Sequence, residues 1–244
     1  MRSGVWRLLE CERCEMVYMP VIPTPEAVET DFDWADSFKR ERMRRWLSSP
    51  LARLWTGALF ACKPNRERRA LGRIRRHAPA AGRFLDIGAG DGRLAAAAQG
   101  AGYAVTCIEL SPAMAAQAAR RVGREHVLVG RLSDFALERF DVVVAISVLE
   151  HDPEPRQMLN QVREILRPDG VLILKVPNLG SYLRRIRGRR WSGFRWPEHV
   201  QYFTPATLRS MVERARLEVT WIEADPLSDN VWLATCHPRA TPLA

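Results

Sequence analysis

The stretch Phe84-Leu-Asp-Ile-Gly-Ala-Gly-Asp-Gly-Arg93 opens on an apolar run, Phe84 to Ile87, that reads as a buried parallel strand. Gly88, Gly90 and Gly92 then crowd the turn that follows. Without a Cβ the chain turns sharply there and lets a ligand lie against the backbone. Leu94 and the alanines after it read as a helix whose N-terminus points into the same space. The next apolar run ends in an acid, Cys107-Ile-Glu109, where a carboxylate can accept from two ribose hydroxyls. Strand, glycine turn, helix, strand and acid describe the nucleoside-binding half of a doubly wound sheet.

Outward from this stretch the alternation of strand and helix continues. Ser111-Pro112 reads as N-cap and first residue of a helix reaching about Val122, and His126 to Val129 as a third strand. Phe140 to Ser147 is a near-continuous apolar run, as expected of a central strand buried on both faces. Pro153 and Pro155 start a helix with Met158, Leu159, Val162, Ile165 and Leu166 on one face. Arg167-Pro-Asp-Gly170 should stop it, and Val171 to Val176 should form strand five, closed by Pro177-Asn178. After a loop, Thr204-Pro205 caps a last helix. Leu217 to Ala224 and Val231 to Cys236 follow as strands six and seven, with Val219 and Trp221 alternating against Thr220 and Ile222. The fold class expected is α/β: a doubly wound, Rossmann-like, seven-stranded, mostly parallel sheet with an N-terminal helical cap.

The glycine spacing narrows the ligand. The dinucleotide fingerprint is G-x-G-x-x-G, whereas this chain has Gly88-x-Gly90-x-Gly92 with Asp86 inside the preceding strand. An anion there repels a pyrophosphate but favours an ammonium or sulfonium. The pattern resembles motif I of the class I S-adenosylmethionine-dependent methyltransferases, and the likeness extends from Phe84 to Asn178. It implies S-adenosylmethionine as cofactor, held by Asp86, Gly88, Ala89, Gly90, Glu109, Leu110, Asp134, Phe135 and Ser147. In Gly130-Arg-Leu-Ser-Asp134-Phe135 it places Asp134 at the exocyclic amine and Phe135 on the adenine ring. The family often has Asp where this chain has Arg131.

The chemistry implied is in-line methyl transfer, in which the protein chiefly aligns the reactants. A hydroxyl nucleophile also needs a base. Val148-Leu149-Glu150-His151 is similar to a signature after strand four of small-molecule methyltransferases. Trp196 to Pro205 resembles the H-x-x-x-F-T-P block before the last helix. His151 and His199 are therefore the two candidate bases, each with a purely structural alternative. Quinone-type O-methyltransferases carry a further Glu where this chain has Ser147, so no metal site is expected.

Composition bounds the remainder. A chain of 244 residues that is 47% hydrophobic suits one α/β domain with an appendage. No apolar run reaches membrane-spanning length and the first residues lack a signal-like stretch, so the cytoplasm is the expected compartment. Cys62, Cys107 and Cys236 read as single core thiols, and only Cys11-x-x-Cys14 has ligand spacing. That segment resembles the second half of a zinc-ribbon knuckle, two ligands short of a structural site. From Asp36 to His77 thirteen Lys/Arg face three acids, a local charge of +10 beside +9 for the whole chain. The organisation expected is a degenerate knuckle over residues 1–35, a basic helical cap over 36–80 and the cofactor domain over 81–240. The cap is read as helices Asp36 to Leu47, Pro50 to Cys62 and Asn65 to His77. A second basic run spans Arg184 to Trp191. Such surfaces suit an anionic small-molecule acceptor, a glycan or lipid precursor, a membrane surface or RNA, or are plain solvated faces. The rivals to a small-molecule enzyme are an RNA methyltransferase and a non-catalytic module of the same fold. Leu149-Glu-His-Asp stands where amino-directed nucleic-acid enzymes place an Asn/Asp-Pro-Pro-aromatic tetrapeptide.

Overall fold

The structure, a computed structural model, describes residues 7–20, 66–225 and 229–238. A hairpin, β1 (Leu9–Glu10) and β2 (Val17–Tyr18), comes first in the chain. The main body begins with α1 (Arg66–Ile74), β3 (Gly82–Ile87), α2 (Arg93–Gln99), β4 (Tyr103–Glu109), α3 (Pro112–Val122) and β5 (Val127–Val129). It continues with β6 (Phe140–Ile146), α4 (Pro155–Ile165), β7 (Leu166–Pro177), α5 (Tyr182–Arg187), β8 (Gln201–Tyr202), α6 (Pro205–Arg214), β9 (Glu218–Asp225) and β10 (Asn230–Cys236). The two earlier helices expected for the cap lie outside the described residues; the third is seen as α1.

Seven strands form one sheet in the order β5-β4-β3-β6-β7-β10-β9, and β10 runs antiparallel to both its neighbours. The chain moves outward from β3 in one direction and from β6 in the other. The carboxyl ends of these two strands therefore border a crevice, where doubly wound sheets bind ligands. Alternation along β3 explains the two-layer core. Phe84 packs with Leu71, Ile74, Ala95 and Ala118 on one face, while Leu85 and Ile87 pack with Leu159, Val162 and Leu208 on the other. Each fully buried Leu or Ile there contributes roughly 1.5–3 kcal/mol. A second sheet, β1-β2-β8, ties the hairpin to the segment between β7 and α6.

Three expectations about elements change. Strand five starts at Leu166, not Val171, because Phe140 pairs with Leu166 and Val142 with Val171, so 167–170 bulge out of one continuous strand. In β9, Val219 shares a face with Ile222, and Trp221 joins the opposite layer. A register shift against Ala234/Thr235 breaks the simple alternation there. The loop expected after strand five contains α5 and β8.

Gly92 shows how tightly the turn is set. It caps α2 with φ 77°, and a Cβ on it would lie 2.7 Å from the Ala118 Cα of α3. Neither backbone can yield, and a left-handed φ disfavours any L side chain. Gly92→Ala should therefore cost about 3 kcal/mol and lower the melting temperature by about 6–12 °C. A differential-scanning trace checks this.

Candidate active site

The glycine turn is built by hydrogen bonds from its own edge. Gly88 and Ala89 both donate N–H to the Ile108 carbonyl, at 2.8 and 3.1 Å, which folds the turn over the end of β4. A Cβ on Gly88 would sit 2.5 Å from Val148 Cγ2, so its absence lets the chain beyond β6 close on the turn. Above Gly90, at φ 57°, the nearest atom to such a Cβ is Met114 Cε at 3.8 Å. That side of the turn is open for a ligand.

Two acids flank it. Glu109 accepts from Gly90 N–H at 2.7 Å and from Ser111 N–H at 2.9 Å. The sequence reading expected ribose hydroxyls there; the structure gives Glu109 a second role, holding the turn. Each oxygen keeps a further lone-pair direction for such hydroxyls. Asp86 is buried, and its Oδ2 has no hydrogen-bond partner. Burial first, then the Glu109 charge, push its carboxyl up to about 8. A buried acid facing an acid lacks a cation, and a ligand bringing an ammonium or sulfonium to the turn fits that demand.

The other residues expected at the cofactor also line the carboxyl edge. Leu110 follows β4 and leaves 41% of its surface exposed, an apolar ledge beside the turn. Asp134 and Phe135 follow β5; Asp134 Oδ2 accepts from Arg131 N–H at 2.7 Å, which fixes the carboxylate next to the half-buried Phe135. Gly130 permits this, since a Cβ there would meet Asp134 Oδ2 at 2.8 Å. Ser147 ends β6 in the left-handed region, φ 60°, and is locked to β7: its N–H donates to the Lys175 carbonyl at 2.8 Å and its Oγ accepts from Lys175 Nζ at 2.9 Å.

The structure brings together two histidines that the sequence offered separately. Their rings meet edge to face with centroids 4.6 Å apart. His151 Nδ1 lies 2.8 Å from the Glu198 carbonyl and His199 Nδ1 lies 2.7 Å from the Gly193 carbonyl. A carbonyl can only accept, so both rings carry hydrogen on Nδ1 and their basic nitrogen is Nε2. Burial drives His151 down to about 4 and His199 well below the ordinary range, so both are neutral at pH 7. Sequence reading did not single out Glu150. It is buried beside them, neither oxygen makes a well-formed hydrogen bond, and burial pushes its carboxyl up to about 7 against the pull of its own N–H, Lys175, Arg195 and Ser147. Ligand atoms of Glu150, His151 and His199 all lie within 4.8 Å of one another. Among the described residues they are the only such grouping of three.

A wall closes over this set. Val200 N–H donates to the Glu150 carbonyl at 2.9 Å, and Phe194 packs against Trp191, Trp196 and Tyr202. The hairpin bearing Cys11 and Cys14 stands behind β8; hydrogen bonds from the Arg13 N–H and from Cys14 draw the Cys11 thiol below its usual range.

Fold and site define a doubly wound, nucleoside-binding transferase domain with a cluster of Glu150, His151 and His199 beyond β6. Residues 40–221 match the family model described as a methyltransferase domain, and the chain belongs to that family. It is 30% identical over 205 residues to the ubiquinone biosynthesis O-methyltransferase of Thiobacillus denitrificans, covering 74% of this chain and 86% of the relative. The corresponding protein of Haemophilus ducreyi is 30% identical over 171 residues, 62% of this chain and 72% of its own. Among solved structures, 1,6-didemethyltoxoflavin-N1-methyltransferase of Burkholderia thailandensis, with S-adenosylhomocysteine bound, superposes with a TM-score of 0.61 at 19% identity, covering 94% of this chain and 98% of that one. The chain is thus a S-adenosylmethionine-dependent methyltransferase. No described helix is long and apolar enough to cross a membrane.

Proposed function

We propose that this methyltransferase methylates a hydroxyl oxygen of a small-molecule acceptor seated between the glycine turn and the aromatic wall. The observation that carries the reading is the paired neutral imidazoles, each pinned through Nδ1, with the Glu150 carboxylate beside them. The names of the two relatives support oxygen as the methylated atom. A glycan or lipid precursor with a free hydroxyl meets the same description.

When bound, S-adenosylmethionine supplies a methyl group already activated on sulfur. Asp86 would neutralise its positive end, Glu109 would take ribose hydroxyls, Leu110 and Phe135 would sandwich the base, and Asp134 would accept from its amine. Gly88, Ala89, Gly90 and Ser147 would set the backbone along it. Nε2 of a histidine takes the acceptor's hydroxyl proton, and the Glu150 carboxylate stabilises the imidazolium that forms. Trp191, Phe194, Trp196 and Tyr202 keep water out of the step.

The trio also has the donor types of a divalent-metal site. Against that reading, Lys175 and Arg195 direct positive charge at Glu150 and His199, and a third cation there would be repelled. The test is methyl transfer from labelled S-adenosylmethionine to a panel of phenols, catechols and sugar alcohols, with product mass located by fragmentation. O-methylated product, formed at the same rate after EDTA treatment, is expected. Product methylated on nitrogen or carbon would overturn the hydroxyl assignment, and a rate lost to EDTA and restored by a divalent ion would overturn the metal-free one.

A further inference from the structure

The helix after β7 exposes what a folded domain normally hides. Tyr182 and Ile186 stand one helical turn apart on α5, so they share a face. They are 74% and 63% exposed, the largest exposures among the large apolar side chains of the described residues. This is no frayed end. Ser181 Oγ caps the helix by accepting from Arg184 N–H at 3.1 Å, Leu183 is half-buried, and beyond the helix Trp191 is buried with Nε1 donating to Asp229 at 3.3 Å. Both ends are anchored while the middle faces outward.

Along this segment the charge has one sign. Arg185, Arg187, Arg189 and Arg190 are exposed, and no acid occurs from Asn178 to Pro197. Arg184 is half-buried and lines a groove with Glu10 and Glu15 of the hairpin, apart from the four exposed arginines. Two protruding apolar side chains ringed by four arginines match what an anionic bilayer recognises. The apolar pair enters the boundary between headgroups and chains, and each arginine near the phosphates adds electrostatic attraction. RNA would use the arginines and stack on Tyr182, but it has no use for an exposed aliphatic Ile186.

We propose that α5 and the turn after it dock this methyltransferase on an anionic lipid surface, with Tyr182 and Ile186 inserted and the four arginines on the phosphates. The inference goes beyond methyl transfer and stands on a different set of residues. The same segment runs on into the aromatic wall, so the docked face and one wall of the proposed acceptor site lie on one stretch of chain.

The test is co-sedimentation of the full chain with phosphatidylcholine vesicles, with and without phosphatidylglycerol, at low and at physiological salt. Wild type should bind the phosphatidylglycerol vesicles at least tenfold more tightly, less so as salt rises. Tyr182→Ser with Ile186→Ser should weaken binding about tenfold at both salts, and replacing the four arginines by Gln should erase the lipid preference. These side chains are exposed, so unchanged melting curves confirm that the variants fold. Equal binding by the serine variant would overturn the proposal, as would binding that survives both sets of substitutions, which would assign the contact to the basic residues before Ala78. A single-stranded RNA that displaces the vesicles and binds the serine variant as well as wild type would replace the lipid with nucleic acid. S-adenosylmethionine affinity, measured in parallel, reports on the methyltransferase reading separately.

Discussion

Asp86→Asn should weaken S-adenosylmethionine binding by about 10²–10³-fold while making the free protein more stable at alkaline pH. Both effects follow from one buried carboxyl. In the folded chain burial and Glu109 hold it at about 8, against an ordinary 3.8. Between those values the native state keeps a proton that the unfolded chain has released, so stability falls as pH rises from about 4 to about 8 and then levels off. The full shift corresponds to on the order of 5 kcal/mol. Asparagine carries no charge but still buries an amide, so the net gain above pH 8 should be ~2 kcal/mol, a melting temperature higher by about 4–8 °C. At pH 4 the two proteins should melt together. Binding has its own signature. The cationic ligand needs Asp86 ionised, so near pH 7 wild type should release a proton on binding, and the calorimetric heat should vary with the buffer's ionisation heat. In Asp86→Asn that dependence should vanish. A variant that binds like wild type would remove Asp86 from the cofactor site; one that melts lower at pH 9 would remove the burial argument.

The reach of the sequence differs from one part of the site to another, for physical reasons. The cofactor edge is built from short local patterns: an apolar run, glycines that must turn, an acid at the next strand's end. Spacing along the chain therefore points to Asp86, Gly88, Gly90 and Glu109 as candidates. What spacing could not show is that Glu109 spends two lone pairs on Gly90 and Ser111, because that contact joins two loops. The same limit explains Glu150. Forty-eight positions separate it from His199, and β8 and the Val200 hydrogen bond bring them together. Alone, each histidine reads as a candidate base with a structural alternative, and Glu150 reads only as part of the signature after strand four. The bulges in β7 and β9 were hidden for a third reason, since register depends on the neighbouring strand rather than on the strand's own alternation.

Glu150→Gln should lower kcat by about 10²–10³-fold and leave S-adenosylmethionine affinity unchanged. Its carboxyl sits at about 7, so the proposed imidazolium is matched by a carboxylate only above that pH. Wild-type kcat should accordingly fall as pH drops through about 7, and the acid limb should be absent from the variant. Because His151 and His199 touch, the cluster titrates as a unit, and the limb belongs to the set rather than to one residue. The histidines separate by substitution. The ring whose Nε2 receives the proton should lose about 10²–10⁴-fold in kcat when changed to Gln, and the other should lose chiefly in KM or stability. An acceptor whose hydroxyl is already ionised at the assay pH provides the control. It has no proton to give, so its rate should return in the base variant but not in a variant that merely misplaces the acceptor. If the ionised acceptor is no better served than the neutral one, proton removal is not the task of this cluster, and Glu150 with its two histidines positions the acceptor alone.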